Sequence, residues 1–185
     1  MRYIGLDEFG VRLIGSDDPR FAGLLDQILD GMKNLPGPLQ SWRTADPSHT
    51  AVLLNESGKA IVTLSFVWRF ADATGATRTS RYTNLGSSAH MDVLTGRTGV
   101  CRDIGTFVLP GSKRAITPAG MFGTNLDVLP ELAPRGGGYA MGGGSRAGSE
   151  DGFSPAGLTL DFVLFEDGLC AGPDETGLFD RLKRD

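Results

Sequence analysis

Cysteine and histidine are scarce in this chain, with two of each among 185 residues. Cys101 and Cys170 stand far apart, with no CxxC and no clustered histidines, which excludes zinc-ribbon and thioredoxin-type sites on spacing. One disulfide, or two reduced core thiols, explains the pair equally well. A blue-copper site wants a histidine close after its cysteine, yet His49 and His90 both precede Cys101. No run approaches the roughly 18 apolar residues of a membrane span, and the opening MRYIGLDEFGVRLIG lacks a charged region followed by an apolar one. The chain as given therefore reads as cytoplasmic and soluble, or as secreted if a leader was removed.

Other chemistries are missing as well. The stretch GGGYAMGGGSRAG offers neither the lysine of a phosphate-binding GxxxxGK[ST] loop nor a GxGxxG between strand and helix. GxSxG does not occur. Ser88 and His90 are two apart and share one strand face, so a hydrolase centred on His90 is the alternative reading and needs a partner from elsewhere in the fold. The paired carboxylates Asp17-Asp18, Glu150-Asp151, Glu166-Asp167 and Asp174-Glu175 fall at turns or helix starts, where capping accounts for them. No cofactor and no metal is expected.

What is present is β-sheet pattern. In AIVTLSFVWRF (Ala60 to Phe70), Val62, Leu64, Phe66, Trp68 and Phe70 alternate with Thr63, Ser65 and Arg69. Period-two alternation of aromatic and aliphatic residues predicts a central strand with one apolar face on a core. Thr50 to Leu54 reads as a short strand before the NESG turn. Asn55-Glu56-Ser57 is formally a glycosylation sequon and reads as that turn. Thr77 to Leu85, TRTSRYTNL, is a polar hairpin partner. Met91 to Leu94, Thr106 to Leu109 and Arg114 to Ile116 follow at intervals of about ten residues, the rhythm of a sandwich or barrel. Leu158, Leu160, Phe162 and Leu164 form a second apolar face, followed by Asp167-Gly168 as a two-residue hairpin turn.

Helices are few. Asp18 as N-cap, Pro19 in the first turn, and Phe21, Leu24, Leu25, Ile28, Leu29 and Met32 at helical spacing predict one amphipathic helix over 19–33. Asp174 caps a short C-terminal helix carrying Leu178, Phe179 and Leu182. Tyr3 to Ile14 is at best an edge strand or hairpin, and Ala119 to Leu132 at best one helical turn. The glycine-rich stretch 134–155 reads as a long loop. The organisation is thus an N-terminal helix-containing extension, 1–49, packed on a sandwich, 50–185.

Three stretches, NESGKAIVTLSFVWRF (55–70), LPGSKRAIT (109–117) and LDFVLFEDGLCAGPD (160–174), together resemble uncharacterised bacterial proteins with an immunoglobulin-like or fibronectin-like sandwich. The likeness covers about residues 50–182. It implies a fold and no activity. The expected architecture is accordingly mainly β, an immunoglobulin-like antiparallel sandwich with an N-terminal amphipathic helix and a short C-terminal one.

Charge suggests where a partner would bind. The net charge is −4, yet residues 69–114 hold seven basic side chains against three acidic, and 115–185 hold five against eleven. Arg69, Arg78, Arg81, Arg97 and Arg102 are candidates for one basic sheet face with Tyr82. A cross-strand ladder with Asp72, Asp92 and Asp103 is the blander account. Tyr82 alone offers a stacking ring there, so nucleic acid is not favoured. Tyr139, Met141 and Arg146 are loop candidates for a ligand or partner. The expected function is a non-catalytic protein-interaction or assembly module that binds a protein partner or itself, with no membrane role.

Overall fold

The computed structural model describes residues 1–32, 46–85, 108–118, 120–123 and 152–182. Within them the elements run β1 (Arg2–Ile4), β2 (Val11–Ile14), α1 (Phe21–Met32), β3 (Ala51–Asn55), β4 (Ile61–Ala71), β5 (Thr77–Leu85), β6 (Lys113–Thr117), β7 (Gly120–Phe122), β8 (Ser154–Phe165), β9 (Cys170–Ala171) and α2 (Leu178–Leu182). They form two sheets. One has the order β1-β8-β4-β5, with β9 also paired to β8, and the other has the order β2-β3-β6-β7. The protein is mainly β, and the sheets pack face to face.

The alternation in β4 accounts for that packing. Leu64, Phe66, Trp68 and Phe70 point to one side and meet Leu158, Leu160, Val163 and Phe165 of β8 in a single cluster. Val11, Ala51, Leu53, Ile116 and Met121 of the other sheet close the cluster from across the gap. Full burial of a side chain of this size is worth about 1.5–3 kcal/mol, so these rings dominate the sheet-to-sheet contact. The opposite face of the second sheet presents Ile14, Val52, Ala115 and Phe122, and α1 covers it with Phe21, Ile28 and Met32. The stripe read from helical spacing is the face that packs.

The N-terminal segment supplies two edge strands and a tight turn closed by one antiparallel bridge between Leu6 and Val11. β1 runs parallel to β8, whereas β2 runs antiparallel to β3 in the other sheet, so these two short strands enter different sheets. A 3-10 turn at Asp7–Phe9 and the left-handed Gly10 (φ 71°) make the switch.

The apolar face expected along β8 is also redrawn. Ser65 pairs with Phe162 and Phe66 pairs with Leu160, leaving Asp161 as the extra residue of a bulge. A bulge reverses the inward and outward alternation beyond it. Leu158 and Leu160 face the sandwich core, but so do Val163 and Phe165, while Phe162 and Leu164 turn outward to pack on Leu178 and Phe179. A second irregularity between Ile61 and Thr63 has the same effect in β4, where Ile61 joins the intersheet cluster and Val62 does not.

Smaller differences follow from local geometry. Gly120–Phe122 is a strand paired with β6, not a helical turn. The hairpin after β8 has a three-residue loop, Glu166 to Gly168, because the Phe165 amide donates to Leu169 O; Gly168 takes the positive φ of 84°. Asn55 is fully buried, with Nδ2 donating to Lys59 O and Val108 O and Oδ1 accepting from Ser57. It is the knot of its turn. The expected strand at 91–94 lies outside the described residues, as do 106 and 107 of the one at 106–109, of which Val108 bridges Ile61.

Candidate functional site

Strand register sorts the middle arginines onto opposite faces. Val67 pairs with Arg81 and Arg69 with Thr79, whereas Phe70 pairs with Arg78 and Phe66 with Tyr82. Alternation therefore puts Arg69 and Arg81 on the outer face of the β1-β8-β4-β5 sheet and turns Arg78 and Tyr82 inward. The pairing takes Tyr82 off the face that Arg69 and Arg81 share. Tyr82 is buried and stacks on Phe66 at 4.7 Å between centroids; burial raises its pKa. The Arg78 guanidinium lies 4.5 Å from the Phe153 ring centroid and 5.5 Å from that of Phe70. It is committed to cation–π contact at the edge of the core.

The outer face gains members that the charge count did not single out. Arg2 pairs with Gly157, and Gly157 in turn with Arg69, so a cross-strand row reads Arg2, Gly157, Arg69, Thr79. The next row reads Ile4, Thr159, Val67, Arg81. A trough of about 530 Å³ lies along the first row and extends toward Thr77, Arg78 and Ala156, without reaching Val67 or Arg81. Arg2, Arg69, Arg78, Thr79, Thr159 and Gly157 are among the residues that line it, and no carboxylate is. Arg69 is held in place because its Nη1 donates to Thr159 Oγ1 at 2.8 Å.

One carboxylate stands at the rim. The C-terminal segment crosses the outer face of β8, and buried Asp161 anchors it by accepting from the Glu175 amide (2.8 Å) and the Thr176 hydroxyl (2.6 Å). Asp161 accepts from Ser65 Oγ as well. Glu175 Oε2 then sits 3.6 Å from Arg69 Nη2, with both side chains well exposed.

The remaining candidates separate cleanly. Asp72 is not part of a charge ladder: Oδ1 accepts from the Thr74 amide and hydroxyl and from the Ala76 amide, closing the β4–β5 turn, and the Thr74 hydroxyl bond leads in lowering its pKa. His49 sits in a 3-10 turn, Nδ1 3.8 Å from Asp46 Oδ2. Cys170 lies in β9, its Sγ 3.7 Å from Gly168 O. His90, Arg97, Arg102, Asp92, Asp103, Cys101, Tyr139, Met141 and Arg146 lie outside the described residues. Among the described residues no group of three or more His, Cys, Asp or Glu side chains is placed to hold a metal, and no helix is long and apolar enough to cross a membrane.

The arrangement can bind anions through oriented guanidinium and hydroxyl donors. Charge and hydrogen bonding are its means. Comparison with known protein families, with curated proteins and with solved structures finds no match for this chain.

Proposed function

We propose that this chain is a non-catalytic interaction or assembly module whose docking surface is the outer face of the β1-β8-β4-β5 sheet. The observation that carries the reading is the trough in which Arg2 and Arg69 flank bare Gly157 with threonine hydroxyls beside them. Such a surface suits an acidic partner through charge complementarity, which chiefly raises association rate and selectivity. The chain's own exposed acids, among them Asp7, Glu8, Asp17 and Asp26, make a second copy the first partner to test. An immunoglobulin-like kinship belongs to the same reading, supported by a tryptophan on a central strand that faces the opposite sheet.

The test is solution mass by light scattering over a concentration series, at low salt and at about 0.5 M salt, where exposed charge pairs are screened within about 4–5 Å. The wild-type chain is expected to grow in mass with concentration at low salt only. Arg81→Glu, an exposed change on the docking face, is expected to keep it monomeric. A salt-indifferent monomer would count against assembly.

A further inference from the structure

We propose that the trough takes an extended acidic peptide, with one carboxylate at Arg2 and another at Arg69, and that Glu175 is its built-in competitor at the Arg69 end. This rests on the reading of the outer sheet face as a docking surface and names what docks there.

Spacing argues for a peptide over a single ion. Arg2 and Arg69 are separated by the one intervening strand β8, so their backbones lie about 10 Å apart, two strand spacings. A polyproline-II chain, with three residues per turn and a rise of about 3.1 Å per residue, places carboxylates three residues apart on one face at about 9 Å, close to that separation. A lone phosphate reaches one end only. Between the arginines lies Gly157, which contributes no side chain of its own to the trough. Ile4, 36% exposed, and Ala156 give the peptide's aliphatic stems a surface. The aromatic residue that lines the trough, Phe70, is fully buried and so not offered for base stacking, which disfavours single-stranded nucleic acid.

Glu175 shows a carboxylate already stationed at one of the two positions. Its amide is pinned to Asp161 Oδ1, so the side chain is delivered to Arg69 by a fixed backbone. At 3.6 Å, and with 44% and 61% of the two side chains exposed, the pair is loose. Exposed pairs of this kind add little stability, and a second anion displaces this one readily.

The experiment titrates the full chain against fluorescein-labelled hexaglutamate, with hexaglutamine as control and inorganic phosphate as competitor, at low and at high salt. Hexaglutamate is expected to bind and hexaglutamine not. Arg2→Gln and Arg69→Gln are each expected to weaken binding about two- to five-fold, the scale of one exposed charge contact, with Arg69→Lys recovering part of it. Glu175→Gln is expected to tighten binding about three-fold. Equal affinity in the arginine variants overturns the proposal, and an unchanged Glu175→Gln overturns the competitor role. Phosphate displacing hexaglutamate at stoichiometric concentration would replace the peptide by a single-oxyanion site. Salt-sensitive self-association lost in Arg81→Glu, without hexaglutamate binding, would leave the docking face standing and this inference refuted.

Discussion

Thr176 Oγ1 donates to Asp161 Oδ2 at 2.6 Å, and through that bond the C-terminal segment is tied to the bulge in β8. The same carboxylate accepts from Ser65 Oγ and from the amides of Glu175 and Thr176. One buried side chain thus joins two central strands to the segment that reaches the trough.

Removing that acceptor is therefore expected to be costly. Hydrogen bonds to a charged group are worth about 1.5–3 kcal/mol each, and orphaned buried donors add a desolvation penalty. Asp161→Ala should lower the free energy of unfolding in urea by about 3 kcal/mol or more, and Thr176→Val by about 1.5 kcal/mol. A change below about 1 kcal/mol for Asp161→Ala would contradict the role given to it.

Asn55 makes a comparable prediction at the turn between β3 and β4. Both amide protons and the carbonyl are used, and the residue is 0% exposed. Asn55→Ala should destabilise by about 2–3 kcal/mol. Expressed through a glycosylating secretory route, the chain should show no glycan at Asn55 by mass spectrometry, because the acceptor nitrogen is engaged inside the fold. A glycan there would mean that the turn forms differently.

Gly15 tests the closeness of the two sheets' N-terminal strands. A Cβ on it would lie 1.9 Å from Tyr3 Cε2, a ring atom that cannot yield without moving the whole side chain. Gly15→Ala should cost about 1–3 kcal/mol, in the range of overpacked sites. The cost should largely disappear in a Tyr3→Ala background, and a double-mutant cycle in urea measures this coupling. Additive effects would show that the ring is not what the methyl meets.

Acid and alkaline limbs of stability have separate origins. Burial raises the pKa of Tyr3 and of Tyr82 above the ordinary phenol value near 10. The folded chain then holds those protons longer than the unfolded one, so stability is full below about pH 10 and declines as pH rises through the folded values. Ultraviolet titration should find both phenols late, with Tyr3→Phe and Tyr82→Phe removing one late step each. In acid, hydrogen bonding to Arg20 lowers Asp18 to about 2. Its contribution is present above about pH 4 and is lost as pH falls toward 2. The melting temperature of Asp18→Asn should accordingly be less acid-sensitive in that window.

Local patterns were legible in the sequence and distant pairings were not. The alternation from Ala60 to Phe70, the helical stripe ending at Met32, and the Asp174 carboxylate that accepts from Leu178 and Phe179 amides all depend on neighbours within a few residues. Nothing near Arg2 announces a partner at Gly157, since parallel pairing between ends of a chain leaves no local trace. For the same reason half of the trough was invisible: Arg69 and Arg78 stood out by charge, while Arg2, Gly157 and Thr159 did not. The face change at Asp161 was hidden because one unpaired residue reverses a period-two pattern without altering its composition. Gly120–Phe122 is simply too short to carry a period.

The place of β8 between β1 and β4 has a consequence during synthesis. On the ribosome the β4–β5 hairpin emerges early and can pair at once, but β1 and the free edge of β4 both await a strand encoded far downstream. Until it emerges, two edges in one nascent sheet stand open, a condition that invites pairing with neighbouring chains. Completion of the sheet is an insertion into a gap and not an addition to a rim. Such non-local closure is slow compared with hairpin formation. A pause or truncation before residue 154 would release a chain with its sandwich half built, and that species is the one a chaperone would be expected to hold.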